Sequence, residues 1–257
     1  MHKVNYRPGS HWKASYAFFW SETSSFGRYD RHLRMRNDLP RYGEWDYGPQ
    51  QWAMHRFALH HQKASKFYDQ WRLTLARQDF GESRITRNFQ SPLRITRSED
   101  VTAWSANLDA RKTLNKDWAI NYGLEFLQNE VNSNGLLENI ESDELTSEAP
   151  RYPNSDWQAA AAYVTASKKI SQKWSLDASL RYNVFDLEAR FDTTLFSLPF
   201  DRADLSNDAF SGGLSLNWKK ENWRVYGAVS SGFRAPNVDD VGKIFDSEPG
   251  SVLVPNP

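Results

Sequence analysis

The chain has 257 residues, a formal net charge of zero from 32 basic and 32 acidic side chains, and no cysteine. Zero charge without a basic block gives no surface for nucleic acid, and the lack of cysteine excludes a disulfide framework or a thiolate metal centre. Aromatic residues reach 14%, with 11 tryptophans, although the mean hydropathy is only −0.74. Rings gathered at a membrane–water boundary give this balance, and polar lumen-facing positions lower the average. No run approaches the roughly 18 apolar residues of a membrane helix. The first residues, Met1 to Gly9, show no apolar segment of a signal peptide.

The first periodic segment is Trp12, Ala14, Tyr16, Phe18 and Trp20. Apolar residues at every second position make a strand with one apolar and one polar face. The next, 52–61, mixes polar and apolar residues on both faces. Clear alternation returns in Trp118, Ile120, Tyr122, Leu124 and Phe126, and in Trp174, Leu176, Ala178, Leu180, Tyr182 and Val184. Weaker cases are Trp104, Ala106, Leu108 and Trp223, Val225, Gly227, Val229. The pattern predicts nine strands near 12–20, 52–61, 71–80, 99–111, 118–130, 156–168, 174–188, 206–219 and 223–233, the last closed by Pro236.

Short connections are expected near 62–70, 112–117, 169–173 and 220–222. Long ones are expected near 21–51, 81–98, 131–155, 189–205 and from 234 onward. Short turns on one side and long loops on the other describe an up-and-down transmembrane barrel, not a Greek-key sandwich. Trp71, Trp118, Trp174 and Trp223 follow short turns and Trp218 precedes one, whereas Trp20, Trp52 and Trp157 lie beside long loops. Two aromatic girdles produce that placement. The fold class is all-β: an antiparallel up-and-down β-barrel segment.

Enzyme motifs are absent: no Gly-rich phosphate loop, His-Glu-x-x-His or Gly-x-Ser-x-Gly occurs. No catalytic residue and no metal ligand set is assigned. His55, His60 and His61 share one strand, and read as solvated or lumen-facing imidazoles near a short turn rather than as metal or haem ligands. The first long loop carries Arg28, Arg31, Arg34, Arg36 and Arg41 among Tyr29, Tyr42, Trp45 and Tyr47. Guanidinium groups fork onto carboxylates and rings stack on flat ligands, so Arg28, Arg31, Arg34, Arg36, Tyr42 and Trp45 are the candidate ligand contacts. The alternatives are a solvated loop or one that binds lipopolysaccharide phosphates. Glu138, Glu141, Asp143, Glu144 and Glu148 form an acidic loop without the spacing of a calcium site. Arg84, Arg87, Arg94 and Arg97 flank Glu82, Glu99 and Asp100, and predict cross-strand ion pairs near the outer rim.

Gly232 to Asn237, Gly-Phe-Arg-Ala-Pro-Asn, resembles a signature of TonB-dependent outer-membrane receptors. Further segments resemble those of the family in the same order: Glu82-Ser83-Arg84 with Arg97-Ser98-Glu99-Asp100-Val101, Tyr122-Gly123-Leu124-Glu125, Arg181-Tyr182-Asn183, and Val254-Pro255-Asn256-Pro257. The family motif residues are Phe233, Arg234, Ala235, Pro236 and Asn237. The resemblance implies a 22-stranded barrel with a plugged lumen. Nine strands without a plug are then a slice, with 1–257 part of the barrel and the N-terminal plug and C-terminal strands outside it. The whole protein would sit in the outer membrane of a Gram-negative bacterium, among lipid and lipopolysaccharide. It would bind a scarce small-molecule nutrient and draw energy from the TonB complex through the plug, with no cofactor. Iron chelates are the first expected cargo, ahead of haem, cobalamin and glycans. Residues 237–254 lack the histidine that haem receptors of this family often carry there. The alternatives are a passive porin or adhesin barrel and a soluble β-rich binding module.

Overall fold

The computed structural model describes residues 1–195 and 200–242. The chain opens with β1 (His2–Tyr6) and β2 (Trp12–Glu22). An outer excursion follows, made of β3 (Phe26–Gly27), α1 (Tyr29–His32), β4 (Met35–Arg36), β5 (Leu39–Pro40) and β6 (Tyr42–Tyr47). Four strands then run up and down: β7 (Gln51–Gln62), β8 (Gln70–Asn88), β9 (Leu93–Thr113) and β10 (Trp118–Asn139). After β11 (Glu144–Glu148) come β12 (Asn154–Lys169), β13 (Trp174–Arg190), β14 (Arg202–Lys220) and β15 (Trp223–Ser230), and then α2 (Val238–Gly242).

These strands form one antiparallel sheet in the order β1-β2-β7-β8-β9-β10-β12-β13-β14-β15, with β3, β6 and β11 added at its outer end. Every neighbour on the main path is also the next long strand in sequence, so the sheet is a meander. Among the described residues β1 and β15 are its two edges and do not pair with each other.

All nine expected strands are present, and β1 adds a tenth to the path. Val4 faces Tyr16 and Tyr6 faces Ala14 across the β1–β2 ladder; two apolar positions are too few to show a period. The register aligns apolar with apolar across the sheet. Leu108 faces Leu73 and Leu124, Ala160 faces Phe126 and Val184, and Trp174 faces Trp218. This common face is exposed along its length, with Leu124, Leu180, Val229 and Trp223 at 57%, 52%, 71% and 71%. A continuous exposed apolar surface of that kind is what a lipid-facing wall requires.

The opposite face is polar, and at mid-height its side chains pair across the strands. Tyr163 donates to Asp109, Arg181 pairs with Glu125, and Arg181 also donates to Asn183 at 2.7 Å. Gly123 lies directly opposite both Asp109 and Tyr163. A Cβ there would stand 2.6 Å from the Tyr163 hydroxyl oxygen and 2.5 Å from the Leu108 carbonyl oxygen. Glycine at 123 lets the ring fold flat across the strand and reach Asp109.

Two expectations need correction. The connection expected at 81–98 is mostly strand: β8 and β9 continue past the membrane span, and Phe89 to Pro92 separate them. Likewise β10 and β11 take up much of 131–155. A tilted strand crosses a bilayer in about 9–11 residues, so strands of 19, 21 and 22 residues project roughly half their length into water. There both faces are wet, and apolar alternation disappears while the ladder persists. Secondly, β15 ends at Ser230, and Pro236 precedes α2 instead of closing the strand.

The girdle is revised as well. Trp20 lies on the apolar face, 53% exposed, and Trp104 joins it there at 49%. Trp52 and Trp157 lie on the polar face: Trp52 donates to Gln78 at 3.2 Å, and Trp157 packs on Phe185 with ring centroids 5.6 Å apart. At the short-turn end Trp12 joins Trp71, the two rings meeting edge-on at 5.6 Å.

The apolar core sits at the outer end, not at mid-height. Phe185, Leu187, Ala189, Phe191 and Val241 are buried together, with Trp157, Phe200, Ala203, Leu205 and Ala235 packed around them. Along β13 the polarity inverts. Up to Val184 the apolar residues are even-numbered and face lipid; from Phe185 onward they are odd-numbered and face inward beneath α2.

Candidate ligand-binding site in the outer loops

The first long loop is a folded excursion. β6 pairs with the upper part of β8, from Tyr47 opposite Arg84 to Tyr42 opposite Asn88. It thereby continues the line of β7, whose Gln51 faces Gly81 on the same strand. Asn37 and Asp38, at φ 52° and 61°, turn the β4–β5 hairpin. Both are residue types that tolerate the left-handed conformation of a type I′ turn.

Trp45 is 3% exposed and is the centre of this loop. The Arg28 guanidinium lies 4.9 Å and that of Arg31 5.5 Å from its ring centroid. Tyr47 meets Trp45 edge-on at 5.5 Å, and Arg84 lies 5.2 Å from the Tyr47 ring centroid. Asp30 accepts from Arg28 Nε at 2.7 Å and has Arg31 Nε at 3.7 Å. This hydrogen bond raises the Arg28 guanidinium and lowers the Asp30 carboxyl from their ordinary ranges. The structure thus brings Arg28, Arg31 and Trp45 into one cluster, already committed to one another and to Asp30. Tyr42 is half-buried with the Arg41 guanidinium 5.1 Å from its ring centroid. Arg36 lies on the exposed hairpin and Arg34 at its base, where its charge helps lower the Asp30 carboxyl; neither has an ion pair among the described residues.

The charged hairpin of β8 and β9 carries cross-strand ion pairs, with Arg87 opposite Glu44 of β6 and Arg94 opposite Glu138 of β10. Its register sets Glu82 opposite Glu99, Arg84 opposite Arg97 and Arg87 opposite Arg94. Like charges thus face each other within the hairpin, and Arg87 and Arg94 take acidic partners from neighbouring segments. Arg87 reaches Glu44 at 3.1 Å, and Arg94 reaches Glu138 at 2.7 Å and Glu44 at 3.9 Å. Arg97 Nε donates to the Ala149 carbonyl at 3.0 Å, and Arg151, stacked on Tyr152, approaches Glu82 at 3.6 Å. Glu44 and Arg151 were invisible to sequence reasoning, because their neighbours are fixed only once β6 and the loop after β11 fold onto the hairpin. Glu138 belongs to the acidic segment, which the structure makes a β-hairpin. Among the described residues no His, Cys, Asp or Glu group could hold a metal. His55 and His61 lie on the apolar face, where His55 bonds the Tyr16 hydroxyl at 2.8 Å, and His60 lies on the other face.

The 233–237 box is a clasp. One Arg234 terminal nitrogen donates to both Asp240 oxygens at 2.7 and 2.8 Å. The Asp240 carboxylate accepts the Asn237 N–H at 2.9 Å, while the Asn237 side-chain oxygen accepts the Asp240 N–H at 3.1 Å. This reciprocal pair caps α2. Ala235 packs on the core, and Phe233 is 40% exposed. Tyr152 donates to Asp239 at 2.7 Å, which ties α2 to the loop before β12. Val254 to Pro257 lie outside the described residues.

Residues 5–257 match the family described as TonB dependent receptor-like, beta-barrel. The chain belongs to the TonB-dependent receptor β-barrel family. The solved structure of the copper transporter OprC is similar at TM-score 0.76 and 12% identity, over 93% of this chain and 37% of that one. The siderophore receptor PiuA from Acinetobacter baumannii gives 0.60 at 12% identity, over 88% and 40%. The ferric yersiniabactin uptake receptor FyuA from Yersinia pestis gives 0.61 at 12%, over 85% and 34%. The chain therefore spans well under half the length of these structures, and at such identity the likeness is one of fold. No curated protein matches the sequence. In a TonB-dependent receptor barrel the apolar face meets lipid and the polar face lines the lumen. The excursion around Trp45, the charged hairpins and the 233–237 clasp then all lie at the long-loop end.

Proposed function

We propose that this chain is the barrel part, 1–257, of an outer-membrane receptor of a Gram-negative bacterium that takes up a scarce nutrient, with an anionic iron chelate as first cargo. A plug domain preceding the barrel would couple it to the TonB complex, and further strands would complete the wall. Lipid and lipopolysaccharide would surround that wall. The observation that carries the reading is the outer excursion, where Arg34 and Arg36 project from a loop held rigid by Trp45, Arg28 and Arg31. The rigid base lowers the ordering cost of binding, and two guanidinium groups outside any close ion pair can fork onto carboxylate or catecholate oxygens. The half-buried Tyr42 beside Arg41 offers a ring edge to a flat ligand. The names of two similar structures, a siderophore receptor and a ferric yersiniabactin receptor, favour iron; that of the copper transporter widens the cargo class to metals.

Binding in neutral-detergent micelles tests this, read by tryptophan fluorescence with ferric citrate and a neutral ferric hydroxamate as probes. The Arg34→Gln/Arg36→Gln variant should weaken ferric citrate binding by roughly tenfold or more, since hydrogen bonds to charged groups contribute about 1.5–3 kcal/mol each. The hydroxamate should be unaffected. Unchanged ferric citrate affinity in the variant, or no binding of ferric citrate at all, contradicts the assignment.

A further inference from the structure

We propose that the lipid-side face holds one anionic phospholipid, with an acyl chain in a groove across β9, β10, β12 and β13 and the phosphate on Lys168 at the short-turn rim. The site rests on the barrel fold and not on the cargo reading. The groove has a volume of about 450 Å³, with Ala106, Ala160 and Ala162 as its floor and Leu124, Phe126 and Tyr182 as its walls. Those three walls are exposed large side chains beside small ones, and a flexible chain laid between them gains dispersion contacts that a flat wall would not offer. Glu125 also borders the groove, but its carboxylate pairs with Arg181 on the opposite face.

The charges of this face decide which lipid it takes and which way up. Along β12 the lipid-side positions run Asp156, Gln158, Ala160, Ala162, Val164, Ala166 and Lys168. At about 3.3 Å per residue and a tilt of about 40°, Asp156 and Lys168 stand about 30 Å apart along the bilayer normal, the thickness of the hydrocarbon core. The alanine floor then lies near mid-depth. At the outer boundary the register aligns Glu130, Asp156, Glu188 and Asp204 in one row across four strands. Arg190 and Arg202 offset Glu188 and Asp204, but Glu130 and Asp156 have no basic partner among the described residues. Such a row repels an anionic headgroup. At the short-turn boundary the sign reverses. Lys168 lies directly opposite Trp118, with its Nζ 4.9 Å from the ring centroid and no carboxylate partner among the described residues. Lys220 lies on the same face of β14, opposite Trp223. The nearby acids are offset: Asp69 pairs with Lys112 at 2.9 Å, and Asp117 adjoins Lys116 in the turn. A lysine beside a boundary tryptophan keeps its stem on the apolar face and its ammonium at headgroup level. The occupant is therefore an anionic diacyl phospholipid of the short-turn leaflet, with its chain reaching back to the alanine floor.

Native mass spectrometry tests this on the full chain in neutral-detergent micelles, with phosphatidylglycerol and phosphatidylethanolamine added in equal amounts. One phosphatidylglycerol should be retained ahead of phosphatidylethanolamine. Lys168→Gln should weaken that retention roughly fivefold, the weight of one lysine near anionic headgroups, and Lys168→Arg should restore it. Ala162→Trp, which fills the groove from an exposed position, should lower retention of both lipids. Lys169→Gln, on the lumen face one residue away, and Arg34→Gln/Arg36→Gln in the outer loops should leave retention unchanged. Equal retention of the two lipids, unchanged retention in Ala162→Trp, or equal loss in Lys168→Gln and either control would each overturn the site. A dimer of the chain in place of the lipid, or preferential retention of lipid A from the other leaflet, would overturn it as well.

Discussion

Asp240 shows how a single side chain can hold a loop. It accepts from Arg234 and from the Asn237 N–H, and so fixes the start of the short α2 that covers the outer core. The Arg234 hydrogen bond, followed by that of the Asn237 backbone, holds its carboxyl below the ordinary aspartate range. A carboxyl lowered in the folded state contributes stability above the ordinary aspartate pKa, and loses it as pH falls through its own lower midpoint. The clasp is therefore fully engaged at neutral pH and weakens only in acid. Carbon-detected NMR titration should place the Asp240 midpoint below that of an ordinary aspartate, and Arg234→Gln should raise it. A midpoint at the ordinary value in the unaltered chain contradicts the clasp. Trp45 teaches a related point: aromatic residues among arginines suggest a presented ring, yet this ring is buried as the loop's centre and its arginines lean on it.

Among the elements, β13 carries the sharpest contrast. Leu180 is 52% exposed on the lipid face, while Phe185 is 1% exposed in the outer core. Phe185→Ala should destabilise the outer end by about 3–5 kcal/mol, the usual cost of removing a buried phenyl group. Leu180→Ala should cost far less, because in lipid its contacts are replaced by acyl chains. Equilibrium unfolding from detergent or bilayer checks this, and equal losses would mean that the apolar face is covered by protein. The strands across the bilayer were legible in the sequence because lipid on one side and water on the other impose a strict period of two. Beyond the bilayer that contrast vanishes, so the upper halves of β8, β9 and β10 were read as loops. Residues 1–6 were too short to show a period. At the candidate site the residue types were legible but not their commitments. Arg87 and Arg94 find Glu44 and Glu138 only because the hairpin register opposes like charges.

For the chain as a whole, strand alternation, loop asymmetry and girdle agree on one arrangement: short turns at one end of the sheet, folded excursions at the other, rings at both boundaries. In the proposed receptor the short turns would face the periplasm. The most direct test of this orientation uses the absence of cysteine. Single cysteines are introduced as Asn37→Cys, at the β4–β5 turn, and Ser171→Cys, between β12 and β13. Cells making the protein are then exposed to a membrane-impermeant maleimide. Asn37→Cys should label in intact cells, and Ser171→Cys only after the outer membrane is opened. Equal labelling of both positions in intact cells, or the reverse order, would contradict the account.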